Sequence, residues 1–172
     1  PLTPASEQES GPLVSRRAHA SSVPPSPQET SDDREPVNRR PHESTKQIRV
    51  LIADDHAMVR QGLCGLLAGY EDIHVVAEAA NGSDALALAR QCQPDVVLMD
   101  VNMPVMDGIE ATKRIKETLP DTIVIGLSVQ TIAHVGHEMR EAGAVAFLNK
   151  EAAVEDLYQT IQTARKELLS RS

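Results

Sequence analysis

The stretch Asp95-Val96-Val97-Leu98-Met99-Asp100 decides how the rest of the chain is read. Pro94 precedes it, four apolar residues follow one another without alternation, and an acid closes the run. A short apolar run bounded in this way reads as a strand covered on both faces, the habit of parallel sheets. Working back, Ile48-Arg49-Val50-Leu51-Ile52-Ala53 is a similar run, ending in Asp54-Asp55, and the β-branched stretch Ile73–Ala79 reads as another strand. Working forward, Ile123-Val124-Ile125-Gly126-Leu127 and residues 144–148 complete a set of five.

Helical spacing fills every gap between them. Val59, Leu63, Leu66 and Leu67 mark the first helix. Asn81-Gly82-Ser83 is a turn and cap before a second helix with Ala85, Leu88, Ala89 and Cys92. A third helix follows Asp107-Gly108, with Asp107 as its N-cap, and ends near Thr118 before Pro120. Ile132, Val135, Met139 and Ala142 mark a fourth, closed by Gly143. Val154, Leu157, Ile161, Ala164 and Leu168 mark a fifth. Strand–helix alternation of this kind predicts an α/β fold: a five-stranded parallel sheet, doubly wound into an α/β/α sandwich, in the flavodoxin-like order 2-1-3-4-5.

Composition separates this part from what precedes it. Eight of the 11 prolines and eight serines fall within residues 1–46, with six basic and seven acidic residues. Such a segment buries too little apolar area to offset its ordering entropy, so 1–46 is expected to be a disordered tail or interdomain linker and 47–172 the folded domain. The folded part holds 11 basic and 18 acidic residues, net −7 within a chain net of −8. That balance argues against phosphate-backbone binding, and no nucleic-acid contact by this chain is expected. No apolar run is long enough to cross a bilayer, and Arg16-Arg17 is not followed by an apolar stretch, so no membrane contact is expected. Cys64 and Cys92 sit in helical patterns, which points to free thiols and a reducing, cytoplasmic setting.

Ligands of open parallel sheets sit outside the carboxyl ends of the strands. The residues expected there are Asp54 and Asp55, Asp100, Ser128 and Lys150. Three carboxylates repel one another unless a cation neutralises them or one stays protonated, and Mg²⁺ suits an all-oxygen set. With the metal in place, one carboxylate would attack a phosphoryl group, with Lys150 offsetting charge and Ser128 bonding a phosphoryl oxygen.

Asp54-Asp55, Asp100-Val-Asn-Met-Pro104-Val-Met-Asp-Gly108, Ser128 and Phe147-Leu-Asn-Lys150 together resemble the receiver domain of two-component response regulators, over about residues 47–169. The resemblance implies that Asp100 is the phosphoacceptor, that Asp55 ligates Mg²⁺ directly and Asp54 mainly through water, and that the Asn102 backbone carbonyl is a further ligand. It implies that Ser128 moves toward the phosphoryl group, that Lys150 pairs with it, and that Phe147 is the switch aromatic. It also implies a histidine kinase or histidine phosphotransfer domain as partner, and a homodimer through the fourth helix, fifth strand and fifth helix. The chain departs from the family pattern in three places. Glu151 stands where proline is frequent, so a trans peptide is expected there; serine replaces the commoner threonine at 128; and Phe147 lacks the hydroxyl of the commoner tyrosine.

Several residues have plainer readings. His56 is taken as a solvated helix-start residue rather than a ligand. His134 and His137 are taken as surface residues, and Met99, Met103 and Met106 as packing. A Mg²⁺-dependent phosphatase with an aspartate nucleophile is the competing class, but such enzymes place a second aspartate where Asn102 stands. No Gly-rich nucleotide loop is present. Residues 124–129 and 150–155 are similar to receivers at the C-terminal end of hybrid sensor histidine kinases, and a Pro/Ser-rich linker suits that context. The expectation is therefore a hybrid-kinase receiver. The alternative is the receiver of a DNA-binding regulator of the helix-turn-helix (NarL/FixJ-like) subgroup, whose output module is not expected within this chain.

Overall fold

The structure, a computed structural model, describes residues 47–129, 133–151 and 153–171. The readings made for residues 1–46, for Ile132 and for the Val154 side chain fall outside the described residues. Strands and helices alternate: β1 (Ile48–Ala53), α1 (Ala57–Leu67), β2 (Ile73–Ala79), α2 (Gly82–Cys92), β3 (Val96–Asp100), α3 (Gly108–Thr118), β4 (Ile123–Ser128), α4 (Ala133–Glu141), β5 (Ala146–Asn149) and α5 (Ala153–Arg171). The four pairings are parallel and the order is β2-β1-β3-β4-β5, the doubly wound sheet expected from the sequence.

The apolar runs do not alternate because both faces are covered. Successive side chains point to opposite faces, so Val50 and Ile52 enter one core layer while Leu51 and Ala53 enter the other. The first layer is closed by Leu63 and Leu67 of α1 and by Leu157 and Ile161 of α5. The second is closed by Ala89 of α2, Ala111 and Ile115 of α3, and Met139 of α4. Asn81 and Asp107 cap α2 and α3 by accepting from the backbone N–H of Asp84 and Glu110, each at 2.8 Å. Such caps satisfy amides that the helix itself leaves unpaired.

One strand lies later than the sequence reading puts it. Residues 144–148 read as β5, but the strand spans Ala146–Asn149. Gly143 adopts φ +107, and the Ala144 N–H donates to the Met139 carbonyl at 2.9 Å. Ala144 therefore belongs to the termination of α4, and the ladder with β4 starts at the Ile125–Ala146 pair.

Two backbone features lie in the loop after β3. The Gly108 N–H bonds the Val101 carbonyl at 2.9 Å, and a Cβ at Gly108 would overlap the Asp100 carbonyl. Val105 sits at φ +70 with 88% of its surface exposed. A β-branched residue in left-handed backbone is strained, and nothing packs over this one to compensate. Val105→Gly is therefore expected to stabilise the chain by about 1 kcal/mol. Urea unfolding with an unchanged slope would show it as a raised midpoint, and an unchanged or lowered midpoint would contradict it.

Candidate functional site

The carboxyl ends of β1, β3, β4 and β5 bring their terminal residues together. Asp54 follows β1 directly and is fully buried; Asp100 ends β3 and is 2% exposed. Lys150 follows β5, and its backbone N–H bonds the Ser128 carbonyl at 2.8 Å, which locks the end of β5 to the end of β4. From that anchor its ammonium reaches Asp54 Oδ2 at 2.6 Å and Asp100 Oδ2 at 2.9 Å. Ser128 is buried at the end of β4, one step beyond the Asp100–Leu127 pair. Asn102 is exposed in the following loop, and its N–H approaches Asp100 Oδ1 at 3.4 Å.

Asn149 shapes the turn that carries Lys150. Its side chain donates to the Val129 carbonyl at 3.1 Å and accepts from the Glu151 N–H at 2.8 Å. The turn at the position where the family favours proline is thus built from a side-chain hydrogen bond.

Charge in this cluster is unbalanced. Asp54, Asp55 and Asp100 face one ammonium, leaving a surplus of negative charge. Burial pushes the Asp100 carboxyl above the usual carboxylate range, with the Asp54 charge adding to it and the Lys150 contact opposing it. For Lys150, burial pulls the ammonium down, but contact with Asp54 and Asp100 outweighs burial, and the net shift is upward. Asp54 Oδ2 is buried and held by the Lys150 ammonium at 2.6 Å. A surplus of negative charge and a set of hard oxygen donors within reach of one another fit a divalent cation.

The raised Asp100 titration sets a sign for stability. The folded chain holds the Asp100 proton more tightly than the unfolded chain, so stability is lost as pH rises through the folded-state value. Asparagine carries no such loss. With a chelator present, Asp100→Asn is expected to be more stable than the parent at neutral pH, with the gap closing in acid. Urea midpoints across that range check it; a less stable variant at neutral pH would refute it.

Other sequence readings meet the structure as follows. Phe147 is half-buried, with its ring over two glycines: a Cβ at Gly126 would stand 2.8 Å from the ring, and one at Gly136 3.2 Å. Neither glycine is a site candidate in the sequence reading, although a lone glycine inside an apolar strand signals a close approach. Arg60 is also missing from that reading. Its guanidinium donates to the Asp54 carbonyl at 2.6 Å and lies 3.5 Å from Glu78, which ties α1 and β2 behind the acids. His134 and His137 are exposed and pair with Glu138 and Glu141 one turn on, as surface residues do. Met99 and Met103 are buried and Met106 packs beside them. Both cysteines are free thiols. His56 is an exposed residue at the start of α1, as its sequence reading has it, and its Nδ1 lies 2.7 Å from Asp55 Oδ1. Among the described residues, no helix is long and apolar enough to cross a membrane.

Comparison with known proteins agrees with this geometry. Residues 50–162 match the response regulator receiver domain. The response regulator GacA of Pseudomonas aeruginosa is 41% identical over 115 residues, covering 67% of this chain and 54% of GacA. The transcriptional regulatory protein LiaR of Bacillus subtilis is 43% identical over 119 residues, covering 69% of this chain and 56% of LiaR. The chain thus spans about half the length of these relatives. Among solved structures, the response regulator domain of Thermotoga maritima CheB superposes with a TM-score of 0.65 at 32% identity, covering 70% of this chain and 97% of that one. A DNA-binding response regulator of the LuxR family from Staphylococcus aureus gives 0.65 at 28% identity, covering 69% and 98%.

Proposed function

Because this chain belongs to the response regulator receiver family, we propose that residues 47–172 form a phosphoacceptor whose phosphorylated side chain is Asp100. The observation that carries the reading is the contact of one ammonium, Lys150, with both Asp100 and Asp54 at the strand ends. Asp100 Oδ attacks the phosphorus of a phosphohistidine on a histidine kinase or histidine phosphotransfer domain. The P–O bond forms as the P–N bond breaks, and the bond pair stays with the departing imidazole, which takes up a proton. Lys150, already charged and held over the nucleophile, meets the negative phosphoryl oxygens. Ser128 supplies a hydroxyl to the same group.

Asp55 directly, Asp54 through water, Asp100 and the Asn102 carbonyl would hold Mg²⁺. When bound, that ion supplies positive charge to the transferring phosphoryl group. The product places strong acceptors and added negative charge at Asp100. Phe147, lying between β4 and α4, links that change to the face made by α4, β5 and α5, on which partners or a second copy dock. The role is signalling through self-phosphorylation and self-dephosphorylation rather than turnover of a substrate.

For the parent protein, the named relatives reverse the order expected from the sequence. LiaR is a transcriptional regulatory protein and the Staphylococcus aureus neighbour a DNA-binding response regulator. They support a DNA-binding regulator over a hybrid sensor kinase, with nucleic-acid contact made by parts of the protein beyond this receiver. Incubation with Mg²⁺ and acetyl phosphate, followed by intact-mass measurement and mapping of the acyl phosphate, tests the reading. One phosphoryl group at Asp100 is expected. Modification at another side chain, or none, would overturn it.

A further inference from the structure

Phosphoryl transfer leaves the His56 ring without a role. His56 is the N-cap of α1, with extended backbone at φ −90 and ψ 108, yet its side chain makes no cap hydrogen bond. The ring turns back over the strand ends instead. Its Nδ1 stands 2.7 Å from Asp55 Oδ1 and 3.4 Å from Asp54 Oδ1. Its backbone N–H donates to that same Asp54 oxygen at 2.9 Å, which fixes the distance between the residue and the acids.

We propose that His56 is a ligand of the metal centre, and that it gives this centre a preference for a borderline transition dication, of the Mn²⁺, Co²⁺ or Zn²⁺ class, over Mg²⁺. The proposal rests on the receiver reading, since it concerns the same ion site. One ligand atom from each of Asp54, Asp55, His56 and Asp100 falls within a set whose members all lie within 4.8 Å of one another. Ligands facing each other across an octahedral ion at about 2.1 Å stand roughly 4.2 Å apart. Asp55, His56 and Asp100 thus need a contraction of only about half an ångström to share one ion, within reach of side-chain rotation, with Asp54 reaching it through water. The ring is 67% exposed, so it approaches from the solvent side and leaves the buried side of the site to Asp100.

The chemical consequence follows from ligand type. Carboxylate, carbonyl and water suit Mg²⁺, which binds nitrogen weakly; imidazole suits the later first-row ions. Adding one nitrogen to an oxygen set therefore raises transition-metal affinity and leaves Mg²⁺ affinity little changed.

The test titrates Co²⁺ and Mg²⁺ separately into the full chain and into His56→Ala and His56→Asn, at one fixed pH, by calorimetry. His56→Asn retains a good N-cap residue and so keeps α1 intact. The expected result is a loss of about tenfold or more in Co²⁺ affinity in both variants, against less than about threefold for Mg²⁺. Bound Co²⁺ should also shift the His56 ring protons paramagnetically in the parent chain. An unchanged ratio of Co²⁺ to Mg²⁺ affinities in both variants would overturn the proposal. So would a similar ratio change in His134→Ala, which would place the cobalt elsewhere. Phosphorylation of the parent chain with Mg²⁺ and acetyl phosphate is measured alongside. Its failure would overturn the receiver reading, whereas an unchanged metal ratio beside intact phosphorylation overturns the histidine's role alone.

Discussion

Asp100→Asn is expected to take up no phosphoryl group from acetyl phosphate, with incorporation falling more than about a hundredfold. Asn keeps the shape of the side chain but not the anionic oxygen that attacks phosphorus. Asp54 does not substitute for it, because both its oxygens are engaged: Oδ1 accepts from the His56 backbone N–H at 2.9 Å and Oδ2 lies 2.6 Å from the Lys150 ammonium. Asp55 is more exposed but faces His56. Phosphate-affinity electrophoresis and intact mass read the result directly. The stability measurement on the same variant separates lost chemistry from lost folding, because Asp100→Asn is expected to gain stability at neutral pH. Stable incorporation into a folded Asp100→Asn chain would remove Asp100 from its assigned role.

The second large effect is expected at Gly108. An alanine there would drive its Cβ into the Asp100 carbonyl, with the Asp100 carbonyl carbon and Val101 Cα each at 2.9 Å. These are backbone atoms of β3 and the loop after it, so no flexible side chain yields. Either α3 lifts at its first turn or the end of β3 moves. The expected destabilisation is about 3 kcal/mol, at the upper end of overpacking effects. Movement of β3 carries the Asp100 carboxylate with it, and lifting of α3 breaks the Gly108 N–H bond to the Val101 carbonyl next to Asp100, so the residual folded chain should also be phosphorylated more slowly. Urea unfolding and acetyl phosphate uptake under folding conditions check the two halves. Wild-type stability in Gly108→Ala would show that the loop relaxes freely. Loss of stability with unchanged uptake would show that the nucleophile is positioned independently of α3.

What the sequence makes legible here depends on where the information sits along the chain. Asp54, Asp55 and Asp100 each end or follow an apolar run, and a parallel sheet sends such ends to one edge. Their convergence can therefore be read without coordinates. Lys150 reaches the site even though β5 lies later than its apolar residues suggest, because the helix termination through Gly143 and Ala144 leaves the strand's end beside Ser128. Features that depend on how one element lies over another are not legible in this way. Gly126 reads as a gap in an apolar strand, and only its pairing with Phe147 under α4 explains it. Arg60 is, with Gln61, simply a polar position on an otherwise apolar α1 until the Asp54 carbonyl is seen beneath it. The chain tells that His56 adjoins the acids, but a ring direction is set by rotamer and cap geometry.

The Lys150 contact with Asp54 and Asp100 also bears on the chain before it is finished. Asp100 lies on the third strand, but its ammonium arrives with the last and shortest, a four-residue strand at the sheet edge. Pairings between distant parts of a chain form late in folding, and segments with few partners open first. A nascent chain lacking β5, or a mature one frayed at that edge, presents its nucleophile with no cation over it. Completion of the sheet is thus what sets the Lys150 cation over the Asp100 carboxylate.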